Sequence, residues 1–294
     1  LIQRISVDKL HIVGDVYDRG PSPHIIMDEL ISFPNVDFQW GNHDIAWVGA
    51  CSGNSAMVAG CVASAISYNN FDMLEDGYGL NLRPLYEFAI HTYKDDPCTL
   101  FTPKIFDRNI YDNVSSDFAA KMYKAISIIR FKLDGELINR NKDFNMDDRN
   151  VLNFIDFDKM TYKGAKLKDT NFPTIDPKNP LKLSKEEKHV IELLTSDFTK
   201  ANRLNRHIKF LLDAGSMYKV ENGSLLFHGC IPMTEDGQFQ EVNIKGKIYK
   251  GKALMDKFNQ SILDAYFKQD PYSKDLLWYL ISGRSVSYTH LTLP

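Results

Sequence analysis

The chain has 294 residues, 44% of them hydrophobic and 25% charged, with a formal net charge of −3. That length holds one large domain or two modest ones, the balance is that of a globular protein, and the slight acidity argues against a nucleic-acid surface, which is as a rule strongly basic. No apolar run reaches the roughly 18 residues of a membrane span. The chain opens on Leu1 without a charged-then-apolar leader, and its four cysteines (Cys51, Cys61, Cys98, Cys230) follow no CxxC spacing, so reduced thiols and a cytoplasmic location are expected.

Residues 10–14 (Leu-His-Ile-Val-Gly) read as a short strand ending at Gly14. The loop Asp15–Gly20 follows, and Pro21 and Pro23 stand where helix entries tolerate proline. Apolar positions 25, 26, 27, 30 and 31 then give a helical face, and Val36 to Trp40 reads as a second strand ending at Gly41. Strand, crossover helix and strand predict a right-handed parallel pair. Both polar loops would then lie just past the carboxyl ends of neighbouring strands, where open α/β sheets gather ligands.

From about residue 45 to 221 the pattern becomes mainly helical. Residues 56–66, rich in Ala and Val, predict a closely packed helix, and residues 115–133 a second one. The stretch 134–183 is polar, carries Pro173, Pro177 and Pro180, and predicts loops with short strands. Ser184-Lys-Glu-Glu187 is a capping box that opens a helical pattern to about Ala214. Gly215 to Gly223 is turn-rich, Leu225–Phe227 reads as a buried strand entering His228-Gly229, and residues 253–267 predict an amphipathic helix. The segment 284–294 is Ser/Thr-rich, differs from all that precedes it, and reads as a non-native tail.

The runs Gly14-Asp-Val-Tyr-Asp-Arg-Gly20 and Gly41-Asn-His-Asp44, with the later His228, carry a coherent chemistry. A carboxylate directly after a strand, Asp15, can bridge two cations through its two oxygens. Asn42 offers one of those cations a neutral carbonyl oxygen and His228 an imidazole nitrogen. Water held between two divalent ions becomes a nucleophile near neutral pH and attacks phosphorus in line. His43 is placed to protonate the leaving oxygen, Asp18 to orient its ring, and Arg19 to present a planar fork to two phosphate oxygens. Duller readings exist for each run alone: a turn with an Asp–Arg pair, a loop that caps a helix, a strand-end histidine. The two runs in order, each after a strand, outweigh them. The remaining histidines, His11 among them, fall at no ligand spacing and read as structural or exposed.

These motifs resemble the calcineurin-like metallophosphoesterase superfamily, and the resemblance narrows further. Leu10-His-Ile-Val-Gly-Asp-Val-Tyr-Asp-Arg-Gly-Pro-Ser-Pro, Asp37-Phe-Gln-Trp-Gly-Asn-His-Asp44, Tyr78-Gly-Leu-Asn-Leu-Arg-Pro84, Phe144-Asn-Met146 and Leu226-Phe-His-Gly-Cys-Ile-Pro232 look like the class III fructose-1,6-bisphosphatases of Firmicutes. The resemblance implies an α/β fold: a β-sandwich core flanked by helices, built from 1–44 and 222–283, with 45–221 as an inserted cap that selects the substrate. It also implies a dinuclear Mn²⁺ centre and hydrolysis of the 1-phosphate of a sugar bisphosphate. The family's D-x-H motif and its downstream Gly-His pair are absent here, so the reading expects a chain truncated at both ends with an incomplete metal site. A Ser/Thr protein phosphatase is the alternative enzyme. Against it stand Trp40 before GNH, Asp44 in place of the usual Glu, and the long gap from Asn42 to His228. A non-catalytic phosphate- or metal-binding module is the alternative outside enzymes.

Overall fold

The computed structural model describes residues 7–104 and 114–283; the expected tail at 284–294 lies outside them. In chain order the elements are β1 (Leu10–Ile12), α1 (Pro23–Ser32), β2 (Val36–Gln39), α2 (Asn42–Cys51), α3 (Ser55–Ser67), α4 (Arg83–Thr92) and α5 (Ser116–Arg140). After short 3₁₀ turns come β3 (Ile155–Asp156), β4 (Thr161–Tyr162), β5 (Ala165–Lys166), α6 (Lys185–Lys200) and α7 (Asn202–Asp213). The chain continues through β6 (Gly215–Ser216), β7 (Tyr218–Glu221), β8 (Ser224–Phe227), β9 (Val242–Ile244), β10 (Lys247–Tyr249), α8 (Gly251–Phe267) and α9 (Pro271–Ser282). No helix among the described residues is long and apolar enough to cross a membrane.

Contacts divide the chain into two compact units. One runs to Asn54 and resumes at Thr199; the other is Ser55–Phe198. Both boundaries fall inside the 45–221 stretch expected as an insertion. The physical reason lies in the first unit's packing. β2 pairs in parallel with β6 (Phe38 opposite Gly215), Trp40 Nε1 donates to Leu211 O at 2.9 Å, and Phe38 meets Phe210 edge-on at 5.7 Å. Helix α2 packs on α8 and α9. Residues 45–54 and 199–221 therefore belong with the strands.

In the first unit β1 and β2 are parallel, Leu10 opposite Val36 and Ile12 opposite Phe38, with α1 as the crossover. Pro23 at its first position fixes φ where an N–H would have no helical partner. Helix α1 buries Met27 and Leu30. Strands β7 and β8 form an antiparallel hairpin, as do β9 and β10. With at most three strands per sheet among the described residues, the architecture established is mixed α/β with small sheets.

A charged network faces β1, β2 and β7. Asp37 Oδ1 accepts from Gln39 Nε2 (3.0 Å) and meets His11 Nδ1 (2.8 Å), while its Oδ2 accepts from Lys219 Nζ (2.6 Å). Lys9 and Lys219 both reach Glu221 Oε2, at 3.0 and 3.1 Å. Burial opposes the Asp37 charge, but Lys219 and these other donors outweigh it and hold the carboxyl far below its usual range.

A second cluster ties α1 to α7. Asp28 accepts from Arg203 Nη2 (2.5 Å) and from Arg206, and it meets His207 Nε2 at 3.0 Å. Arg203 first, then His207, hold the Asp28 pKa down at about 2. Because the folded value lies below the unfolded one, this stabilisation is complete above about pH 4 and disappears as pH falls through about 2. In thermal melts between pH 4 and pH 2, Asp28→Asn should show a shallower loss of melting temperature than the parent protein. Parallel curves would contradict this linkage.

The second unit is built on α5. Helix α3 is lined with Ala56, Ala59 and Ala63, all buried, and these small side chains allow close approach to α5. Two lysines inside α5 are buried. Lys124 Nζ lies 2.6 Å from both Asp96 Oδ2 and Asp169 Oδ2. Lys132 Nζ donates to Glu187 Oε2 and Thr174 O, each at 2.7 Å. Glu187 also completes the capping box expected at Ser184: Ser184 N donates to its Oε2 (2.7 Å) and Glu187 N donates to Ser184 Oγ (3.1 Å). Ile128, Leu152, Ile175 and Leu181 form an apolar cluster beside them.

Candidate active site

The loop after β1 and the N-terminus of α2 meet through two glycines. Gly14 has φ +81°, and a Cβ there would lie 2.6 Å from Gly41 N and 2.7 Å from Gln39 O. Gly41 has an ordinary φ, but a Cβ on it would lie 2.1 Å from Asp15 Oδ1 and 2.6 Å from Asp15 N. No other residue type fits a contact this close. The Asp15 carboxylate therefore lies against bare backbone, directly at the start of α2.

Asp15 and Arg19 both adopt left-handed φ values of 58°. For a residue with a Cβ this costs on the order of 1–2 kcal/mol, least for Asp and Asn, and strain of this kind clusters at functional loops. The Asp15 conformation is held at both ends: its N–H donates to Asp44 Oδ2 (2.8 Å) and its Oδ1 accepts from His43 N (3.0 Å). Asn42 opens α2 between Gly41, which lies against Asp15, and His43, which donates to it.

The side chains converge on Asp15. His228 Nε2 lies 3.1 Å from Asp15 Oδ2, and its Nδ1 donates to Val13 O (2.6 Å). That second bond fixes Nε2 as the nitrogen turned to the carboxylate, the outer-shell arrangement usual for metal-binding histidines. Asp15 raises the His228 pKa to about 9 against the opposing effect of burial. Burial likewise works against the Asp15 charge, yet His228 and the His43 N–H outweigh it and keep that carboxyl below its ordinary pKa.

Asp18 Oδ1 lies 3.0 Å from His43 Nε2 and 3.1 Å from Arg19 Nε. It is buried and not aligned as a hydrogen-bond acceptor with either. Asp15, Asp18 and His43 each present a ligand atom within 4.8 Å of the others. Carboxylates, imidazoles and a neighbouring amide form a hard-to-borderline oxygen and nitrogen set suited to divalent cations. The residues present therefore fit a metal. A second group with ligand-type spacing, His11, Asp37 and Glu221, differs in kind. The lysine charges of Lys9 and Lys219 already neutralise it, so it is an ion-pair network.

Of the residues expected from sequence, Asp15, Asp18 and His43 share one cluster, His228 meets it at Asp15, Arg19 meets it at Asp18, and Asn42 stands at the helix start next to His43. Asp44 was not among them. It is fully buried, and its Oδ2 accepts from both Asp15 N (2.8 Å) and Gly41 N (2.9 Å). Burial pushes its carboxyl pKa up to about 6, with the Gly41 N–H pulling down and the Asp15 charge pushing up. Its position, third in a helix whose cap lacks a side chain, is the sequence signal that marks it as a cap.

Three comparisons bear on the family. The model of the Firmicute fructose-1,6-bisphosphatase family matches residues 1–290. The chain is similar to a fructose-1,6-bisphosphatase class 3 of Clostridioides difficile, 49% identical over 98% of this chain and 45% of that protein. It is also similar to proteins of the same name from Alkaliphilus metalliredigens (49% identity, 96% of this chain, 44% of that protein) and Bacteroides fragilis (48%, 96% and 44%). The chain thus spans somewhat less than half the length of these curated relatives, and the expected truncation of the site finds no support in the fold. No solved structure matches the chain. With the family model covering nearly the whole sequence, the chain belongs to the Firmicute fructose-1,6-bisphosphatase family.

Proposed function

We propose that this protein hydrolyses the 1-phosphate ester of fructose 1,6-bisphosphate, giving fructose 6-phosphate and phosphate, a phosphoric monoester hydrolysis of gluconeogenesis. The observation that carries the proposal is the convergence of Asp15, Asp18, His43 and His228 at adjoining loop ends. The names of relatives almost half identical to it supply the substrate class. In this reading the discontinuous unit carries a metallophosphoesterase-type core, and the cations are manganese.

Asp15, Asn42 and His228 would hold the metal, with Asp15 available to bridge a pair. When bound, the metal supplies a nucleophilic water at neutral pH and neutralises phosphate charge. The chain's own groups do the rest. Arg19, half-exposed beside Asp18, presents its guanidinium to the phosphate oxygens, where the negative charge of the transition state builds up. His43 would pass a proton to the departing sugar oxygen. Asp18, whose Oδ1 lies 3.0 Å from His43 Nε2, would limit the rotation of that ring.

Phosphate release from fructose 1,6-bisphosphate in the presence of added Mn²⁺ tests the proposal. His43→Gln should lower kcat by about 10²–10⁴-fold while changing KM little, because the lost proton transfer belongs to the transition state. Turnover of a phosphopeptide with none of the sugar bisphosphate would replace the substrate assignment by that of a protein phosphatase.

A further inference from the structure

We infer that Asp44 is the positioning residue of this site: one carboxylate oxygen, Oδ2, sets the spacing between the two metal-site loops by accepting the N–H groups of Asp15 and Gly41 together. The two bonds, 2.8 and 2.9 Å, come from opposite loops and end on the same atom. The second oxygen, Oδ1, takes a longer bond of 3.4 Å from Tyr17 N, which reaches further along the first loop. Asp44 is fully buried, so water cannot take over these bonds if the side chain is removed.

The geometry explains why one acceptor must serve both loops. Asp15 has a left-handed backbone, so its N–H points away from the strand it follows and towards α2. Gly41 approaches so closely that it can bear no Cβ, and it therefore offers no capping side chain of its own. Asp44, in the first turn of α2, is the side chain that reaches both N–H groups. The next residue back, His43, donates its own N–H to Asp15 Oδ1. The first turn of α2 thus grips Asp15 at its backbone through Asp44 and at its carboxylate through His43. Rotation of Asp15 out of the left-handed region would break both contacts and swing the carboxylate away from His228.

Asp44 is buried and turned to backbone N–H groups, and the inference rests on the metal-site reading above only for what is positioned. The acceptor oxygen, rather than the negative charge, does the holding. Asp44→Asn keeps an oxygen that can face both N–H groups, whereas Asp44→Ala leaves both buried and unpaired. In titrations with Mn²⁺ alone, followed by the change in the ion's paramagnetic resonance signal, Asp44→Ala should weaken affinity about 10–100-fold. Asp44→Asn should stay within about threefold of the parent protein. Both variants would be measured well below their melting temperatures, where a role confined to stability leaves Mn²⁺ affinity unchanged.

Equal affinity of folded Asp44→Ala and the parent would overturn the inference. So would an Asp44→Asn as weak as the alanine variant, since charge would then be the active property. Should Asp44→Ala fail to fold, amide hydrogen exchange of the unaltered protein decides instead. Asp15 and Gly41 amides should be protected, and unprotected exchange at both rules out the shared acceptor. Mn²⁺ binding and exchange need no substrate, so a failure of the sugar-phosphatase assignment leaves this test intact. A parent protein that bound no Mn²⁺ would remove the metal reading while the exchange measurement still judged Asp44.

Discussion

Gly41→Ala is expected to reduce divalent-cation affinity by about 10–100-fold, as losses of supporting contacts around metal sites do, and phosphatase activity with it. The new Cβ would stand 2.1 Å from Asp15 Oδ1 and 2.8 Å from its carboxyl carbon, well inside contact distance. Either the carboxylate rotates away from His228 or the two loops separate, and separation breaks the bonds to Asp44. Overpacking of this kind also costs about 1–3 kcal/mol of stability. Gly60→Ala is the matched control. Gly60 lies inside α3, and the nearest atom to its added Cβ is Arg130 Nε at 3.8 Å. That change should leave Mn²⁺ titrations unaltered and raise stability by about 0.5–1 kcal/mol. Equal Mn²⁺ affinity in the two variants would show that the close approach at Gly41 has no bearing on the site.

Lys132→Met should destabilise the Ser55–Phe198 unit by about 3–5 kcal/mol, the range for stranding one member of a buried ion pair. Lys132 and Glu187 have side-chain exposures of 0% and 1%, so no solvent screens the carboxylate left behind. The amine also satisfies Thr174 O, which would be orphaned as well. Adding Glu187→Gln should recover most of the loss. The neutral amide keeps an oxygen for Ser184 N and removes the buried charge. Urea unfolding of the single and double variants measures both numbers. A single variant within about 1 kcal/mol of the parent would mean that water reaches the pair on opening.

The site was largely legible because its chemistry is local. Asp15 to Arg19 and Asn42 to Asp44 sit at strand ends whose apolar runs are short but unmistakable, and β1, α1 and β2 form as the punctuation at Gly14, Pro23 and Gly41 implies. The Ser184 capping box is likewise a local signal, and it opens α6. What escaped depended on distant partners. The helical pattern to residue 214 is two helices, because Ala201 takes an extended ψ of 105° between α6 and α7. Helix α5 runs to Arg140, well past the expected end at 133, and buries Gly135, Leu137 and Ile138 in that extension. Helix α9 was readable after all: Asp270 accepts from Ser273 N, and Pro271 follows at the first helical position. Helix α4 carries the same proline signal at Pro84. Asp44 was read as one more acidic residue in a motif. Its role depends on two N–H groups that approach each other only in the folded chain.

The pairing of β2 with β6 bears on how the chain acquires its shape. Phe38 cannot meet Gly215 until every residue of the Ser55–Phe198 unit has been synthesised, whereas that unit is continuous and closes upon itself. Its helices α3, α4 and α5 make mainly near-neighbour contacts, the kind that form fastest. On a ribosome the intervening unit should therefore be folded before the sheet is complete. Once folded, it shortens the slack that β2 and β6 must draw in to find each other. His228, the farthest of the site residues along the chain, would be the last to arrive.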